Sequence, residues 1–122
     1  MSYKLLIVDD SIPLHKLVKA HLEPEAYLLH SAYDGESAIA KAAAILPHLI
    51  LLDVDLPRMD GFETCRRLKA NPLTASIPLM FLTADVTLAD TVKGLEAGAS
   101  DYIAKPVNTE QLLSLLRVWL YR

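Results

Sequence analysis

The sequence holds a single cysteine, Cys65, in 122 residues. No disulfide can form within the chain, and such sparing use fits a reducing compartment. Long apolar runs are missing too, so nothing in the sequence is built to cross a bilayer as a helix. No secretory leader pattern opens the chain: Met1-Ser2-Tyr3-Lys4 is followed by four apolar residues and then by two aspartates. Basic residues are not in excess. Twelve Lys and Arg against fifteen Asp and Glu give a net charge of −3. That speaks against direct nucleic-acid binding, which needs clustered cations opposite the phosphates. Glycine is scarce, and neither a P-loop nor a dinucleotide fingerprint is present. Against these absences stand 52% hydrophobic and 22% charged residues, a balance that supports a folded core and not a disordered chain. The expectation is one cytoplasmic domain of ordinary size, spanning residues 1–122.

Short apolar runs alternate with amphipathic stretches. Leu5-Leu6-Ile7-Val8 reads as a buried strand that stops at Asp9-Asp10. Ser11 suits a helix N-cap and Pro13 a first turn. Leu14, Leu17, Val18 and Leu22 then recur at helical spacing until Pro24. A second strand covers Tyr27 to Tyr33, and Asp34-Gly35 reads as a turn. Ala38, Ile39, Ala42, Ala43 and Leu46 form the inner stripe of a second helix, closed by Pro47. Leu49 to Leu52 is a third strand ending at Asp53. A third helix carries Phe62, Cys65 and Leu68 and breaks at Asn71-Pro72. Asp60-Gly61 reads as its entry turn. Pro78 to Leu82 is a fourth strand ending at Thr83. Leu88, Val92, Leu95 and Ala99 mark a fourth helix, with Gly94 and Gly98 serving packing and a C-cap. Tyr102-Ile103-Ala104 is a fifth strand ending at Lys105-Pro106. Asn108 or Thr109 caps a last helix with Leu112, Leu115, Leu116 and Trp119 inward, and Leu113, Leu120 and Tyr121 add apolar surface beyond that stripe.

Strands separated by helices form parallel sheets, because a parallel return needs a crossover. The pattern is therefore a doubly wound α/β fold, (βα)5 and flavodoxin-like, with a five-stranded parallel sheet covered on both faces. In such sheets, ligands bind outside the carboxyl ends of the strands. The residues at those ends are Asp9 and Asp10, Asp53, Thr83, and Lys105 with Pro106. Several carboxylates in one crevice repel each other unless a cation joins them. Oxygen donors favour a hard ion, Mg²⁺ above all where phosphate is handled. His15, His21, His30 and His48 lack metal-ligand spacing, which argues against zinc. A carboxylate can also act as a nucleophile and form an aspartyl phosphate, with a metal, an ammonium and a hydroxyl neutralising the moving group.

The segments Val8-Asp9-Asp10-Ser11, Leu52-Asp53-Val54-Asp55-Leu56-Pro57-Arg58-Met59-Asp60-Gly61, Leu82-Thr83-Ala84-Asp85 and Asp101-Tyr102-Ile103-Ala104-Lys105-Pro106 resemble the receiver domain of bacterial two-component response regulators. The likeness runs over essentially the whole chain, in order and spacing. It implies a CheY-like receiver, a signalling domain and not an enzyme with a substrate of its own. By resemblance, Asp53 is the phosphoacceptor. Asp10 is a direct Mg²⁺ ligand with Asp53, Asp9 acts through a bound water, and the backbone carbonyl of Asp55 completes the set. Lys105 pairs with the acceptor carboxylate and then with the phosphoryl oxygens. Thr83 bonds the phosphoryl group, and Tyr102 is the aromatic coupled to it. Lys105-Pro106 is expected to hold a cis peptide, accessible for an X-Pro bond. The phosphodonor is a phosphohistidine on a sensor histidine kinase or a histidine phosphotransfer protein. The fourth helix, fifth strand and fifth helix offer a homodimer or output face. The side chains of Asp55 and Asp85 are expected near the mouth of the site.

Two other functions fit parts of the sequence. Asp53-Val54-Asp55 has the D-x-D form of haloacid-dehalogenase-type phosphatases, but it follows the third strand and the chain leaves no room for a cap domain. A flavodoxin-like FMN binder would need a Gly/Ser/Thr-rich phosphate loop where Asp9-Asp10 stand.

Overall fold

Leu5, Leu6, Ile7 and Val8 are all fully buried, as successive strand residues can be only when both faces of a sheet are covered. The computed structural model describes residues 3–25, 27–84 and 87–121, with the side chains of 88–92 outside that description. The elements run β1 (Tyr3–Val8), α1 (Ile12–Leu22), β2 (Tyr27–Ala32), α2 (Gly35–Ile45), β3 (Leu49–Asp53), α3 (Gly61–Ala70), β4 (Leu79–Thr83), α4 (Leu88–Ala97), β5 (Asp101–Ala104) and α5 (Thr109–Leu120). All four strand pairings are parallel, in the order β2-β1-β3-β4-β5. The chain thus steps from β1 to one side, then crosses to β3 and continues the other way. The reversal leaves a crevice between the ends of β1 and β3.

Each face has its own core. Leu6, Val8, Ile50, Leu52 and Phe81 point to a layer with Ala38 and Ala42 of α2, Phe62, Cys65 and Leu68 of α3, and Ala97 of α4. Leu5, Ile7, Leu49, Leu51, Met80, Leu82 and Ile103 point the other way, onto Val18 and Leu22 of α1 and Leu112 and Leu116 of α5. The alternation within each strand is the pleat sending neighbours to opposite faces. The caps hold the entry angles: the Ser11 hydroxyl accepts from the Leu14 N–H, Asp60 Oδ1 from Glu63 and Asn108 Oδ1 from Gln111. No described helix is long and apolar enough to cross a membrane.

Several sequence expectations shift by a position. His15, not Leu17, faces inward on α1 with Val18 and Leu22, and Leu17 is exposed. Hydrophobic spacing fits both stripes, but His15 finds polar partners inside. Asp34-Gly35 is not a free turn: Asp34 caps α2 by accepting the Ser37 N–H at 2.8 Å, and Gly35 is its first residue. Leu46 leaves the α2 stripe and is exposed, because it adopts a left-handed cap conformation (φ 49°) just before Pro47. A residue preceding proline is driven out of the right-handed helical region. On α4, Leu95 is exposed, whereas Gly94 and Ala97 face the core; Ala99 is buried beyond the helix end, and the side chains of Leu88 and Val92 lie outside the described residues. Leu113 and Leu120 pack against the α1/α5 core with Leu115 and Trp119, while Tyr121 is exposed and meets the Tyr3 ring edge-on at 5.1 Å.

Gly94 is required by its neighbour. A Cβ there would collide with the Tyr102 hydroxyl, lie 2.7 Å from Tyr102 Cζ and sit 3.1 Å from Phe81 Cε2. The Tyr102 ring therefore occupies the notch that a side chain on α4 would fill. Gly94→Ala is expected to lower the thermal midpoint, because a steric cost of about 1–3 kcal/mol exceeds the roughly 1 kcal/mol of helix propensity gained. In a Tyr102→Ala background the same change should raise it. Thermal unfolding of the four proteins of this cycle checks both signs.

Candidate functional site

The site forms where β1, β3, β4 and β5 end. Asp9 follows the last residue of β1, is fully buried, and donates its N–H to Ala32 O at 3.2 Å. Its Oδ1 accepts the Ser11 N–H at 2.9 Å, turning the chain into α1. Asp10 is exposed at the rim. Asp53 closes β3, is 4% exposed, and accepts the Asp55 N–H at 3.2 Å. Asp9, Asp10 and Asp53 each offer a carboxylate oxygen, all within 4.8 Å of one another. Lys105 reaches in from the end of β5, its Nζ 2.7 Å from Asp9 Oδ2 and 3.3 Å from Asp53 Oδ1. Its backbone N–H donates to Thr83 O at 2.8 Å, which ties the lysine to the end of β4. Thr83 itself is 2% exposed, and the Lys105-Pro106 peptide is cis.

The structure brings Asp9, Asp10, Asp53, Thr83 and Lys105 to one edge. Asp55 sits beside them with an exposed side chain, and Asp85 lies outside the described residues. Tyr102 stands back from the edge, half-buried, its ring 5.7 Å from that of Phe81. One detail departs from expectation: the shorter contact of Lys105 is to Asp9 and not to Asp53. Gly61 is a further site residue, and the sequence reading gave it only a turn. Its N–H donates to Val54 O at 2.9 Å, and a Cβ there would collide with the Asp53 carbonyl and lie 2.8 Å from Val54 Cα. The start of α3 thus presses on the backbone that carries Asp53, an approach only glycine permits.

Burial pushes the Asp53 carboxyl above the ordinary carboxylate range, and the charge of Asp9 adds to it. Lys105 and the Asp55 N–H pull the other way without cancelling the rise. Burial lowers the Lys105 ammonium, but its bond to Asp9 and the charges of Asp53 and Asp9 outweigh this and leave it raised. Three carboxylates against one ammonium leave two formal negative charges in the crevice. The donor set is oxygen only, with no His or Cys among the described residues that cluster there. That chemistry fits a hard divalent cation of the Mg²⁺ kind.

A family model of the response regulator receiver domain matches residues 5–117. The chain belongs to that family. It is 44% identical over 96% of its length to the response regulator PleD of Caulobacter vibrioides, of which it spans 26%. It spans about half the length of other curated relatives that it matches. Among solved structures, a putative response regulator from Chloroflexus aurantiacus superposes over the whole of both chains with a TM-score of 0.93 at 34% identity. The receiver domain of a sensor histidine kinase from Pseudomonas aeruginosa, solved with a magnesium ion coordinated in its active-site cleft, superposes over all of both chains with a TM-score of 0.91 at 29% identity. The chain is thus a CheY-like receiver of the two-component type, a phosphorelay signalling domain.

The electrostatics of the receiver site predict a stability effect. A raised folded-state pKa means that the fold favours protonated Asp53. That contribution is full below the unfolded value of 3.8 and is lost as pH rises through the folded value. Ionised Asp53 therefore destabilises the metal-free fold at neutral pH. Asp53→Asn in EDTA at pH 7 is therefore expected to raise the thermal midpoint. The gain should fade as the pH falls towards 4, and thermal melts across that range check it.

Proposed function

We propose that this receiver accepts a phosphoryl group on Asp53, in a Mg²⁺-dependent reaction, from a phosphohistidine of a sensor histidine kinase or phosphotransfer protein. The observation that carries the reading is the convergence of three carboxylates and Lys105 at the ends of β1, β3 and β5. A nucleophilic carboxylate, an oxygen donor set and a cation then stand within reach of one incoming phosphorus.

Asp53 presents the attacking oxygen. As its O–P bond forms, the bond from phosphorus to the imidazole nitrogen of the donor breaks, and the imidazole leaves with the electron pair. Asp10, Asp53 and the backbone carbonyl of Asp55 would hold Mg²⁺ directly, and Asp9 through water. When bound, Mg²⁺ supplies charge neutralisation for the phosphoryl oxygens. Lys105 supplies the second cation, moving from its carboxylate contacts to a phosphoryl oxygen. The Thr83 hydroxyl donates a hydrogen bond to the same group, and Tyr102, next along the sheet, follows its movement. Water attacking the aspartyl phosphate reverses the state, so the domain promotes its own phosphorylation and dephosphorylation without any other substrate.

The phosphorylated domain would shift a two-state equilibrium and control a partner or an attached output domain. A homodimer or output face fits α4, β5 and α5, where Leu95 and Val118 are each 57% exposed. We place the domain at residues 1–122 and its work in the cytoplasm. The output itself follows from whatever this receiver is joined to.

The decisive experiment is intact mass after incubation with Mg²⁺ and acetyl phosphate. One added phosphoryl group is expected, absent in Asp53→Asn and without Mg²⁺. A folded, Mg²⁺-binding chain that gains nothing from acetyl phosphate or from a phosphohistidine donor would overturn the reading. Asp55, exposed two residues beyond the acceptor, places a negative charge near the route of the attacking water. Asp55→Asn is expected to change the phosphoryl lifetime several-fold, as followed by loss of the added mass with time. An unchanged lifetime would remove Asp55 from the account.

A further inference from the structure

His15 is buried on α1, and the reaction above gives it no part. Its Nε2 lies 2.8 Å from the backbone carbonyl of Asp9, in a buried contact, and its Nδ1 lies 2.8 Å from Ser31 Oγ on β2. A carbonyl oxygen only accepts, so Nε2 carries the proton. In the neutral imidazole, Nδ1 then accepts from the Ser31 hydroxyl. The Tyr33 ring covers the imidazole at a centroid distance of 4.5 Å. Lys41 Nζ donates to Ser31 O at 2.6 Å, which fixes the strand end that carries the second partner.

The Asp9 carbonyl belongs to the planar peptide unit that joins Asp9 to Asp10. The other side of Asp9 is held by its N–H bond to Ala32 O. A donor clamped on the carbonyl therefore sets how that peptide plane is turned, and with it the direction in which Asp10 leaves the backbone. Asp10 is exposed and lies beyond the last laddered residue of β1, so the sheet itself does not aim it.

We infer that His15 is a positioning residue for the acidic cluster, turning the Asp9–Asp10 peptide so that the Asp10 carboxylate meets Asp53 and Asp9 around one cation. The inference rests on the Mg²⁺ reading above. Outer partners that orient metal ligands change metal affinity by about 10–100-fold when they are removed. His15→Phe keeps a ring in the space and loses both bonds. His15→Gln keeps an N–H donor at the distance of Nε2. His15→Asn has its amide at the level of Nδ1 and cannot reach the Asp9 carbonyl.

The test is calorimetric Mg²⁺ titration of the wild type and the three variants, with thermal midpoints in EDTA as the measure of folding. Mg²⁺ affinity is expected to fall about tenfold or more in His15→Phe and His15→Asn, and to recover to within a few-fold of wild type in His15→Gln. A purely structural role would make affinity follow the midpoints and not the presence of the donor. If His15→Phe does not fold, the comparison of Gln with Asn still decides. Equal affinities in those two, or a folded His15→Phe that binds like the wild type, would overturn this inference and leave the phosphoacceptor reading intact. A wild type that binds no Mg²⁺ would overturn both.

Discussion

Lys105 stretches from the end of the last strand to two carboxylates that lie 96 and 52 positions earlier in the chain. Asp9 and Asp53 are both almost wholly buried, and each would be costly alone. Truncating one partner of a buried ion pair leaves an uncompensated charge, which destabilises more than the pair itself contributes. The acidic edge is therefore tolerable only because one cation is shared between its two buried members. That cation is not enough, since three carboxylates converge. The fold holds a standing excess of negative charge at one point, which a divalent cation would relieve.

Topology explains why the excess arises there. The order β2-β1-β3-β4-β5 makes β1 and β3 neighbours at the place where the chain reverses direction, so no helix connection roofs the crevice between their ends. Asp9 and Asp53 are the first polar residues after runs of buried aliphatics, set one strand spacing apart by the β1–β3 register of Val8 with Leu52. Thr83 pairs in register with Ala104, which puts Lys105 one step past the same edge. The acidic edge is a direct consequence of four strands ending level with one another.

Most of this was legible in the sequence, because it rests on local patterns. Apolar runs marked the strands, polar residues marked their ends, Ser11 marked a cap, and the choice between Asn108 and Thr109 for the last helix is decided for Asn108 by its bond from the Gln111 N–H. The misreadings at His15, Gly61 and Gly94 share a physical cause: each turns on a neighbour that only the folded chain brings into contact. Periodicity on α1 accommodates Leu17 as well as His15, and only the Asp9 carbonyl and Ser31 make the histidine the inward one. Gly61 and Gly94 look like ordinary helix glycines until the Asp53 backbone and the Tyr102 ring are seen against them. The nearer approach of Lys105 to Asp9 than to Asp53 is likewise a matter of a fraction of an ångström, which no spacing encodes.

That preference has a consequence for switching. Lys105 cannot serve Asp9 and an incoming phosphoryl group equally, since one ammonium offers a single centre of charge. In the proposed reaction it leaves Asp9 at the moment when the acceptor side gains negative charge. Asp9 must then be compensated from elsewhere, so occupancy of the cation site and phosphorylation favour each other, and the coupling is reciprocal. Lys105 is also bound through its own N–H to Thr83 O, and β4 carries Phe81 two residues earlier, against the Tyr102 ring. Gly94 adjoins both rings, and a Cβ there would collide with the Tyr102 hydroxyl and lie 3.1 Å from Phe81 Cε2. In the proposed switch, a shift at the strand end would reach the Tyr102 ring where Gly94 leaves it no spare room, and packed elements of that kind respond by moving as units and not by gradual deformation. On the proposed reading, the charge imbalance at the edge would be felt at the notch on α4, with Lys105 and Thr83 the residues that link the two through the end of β4.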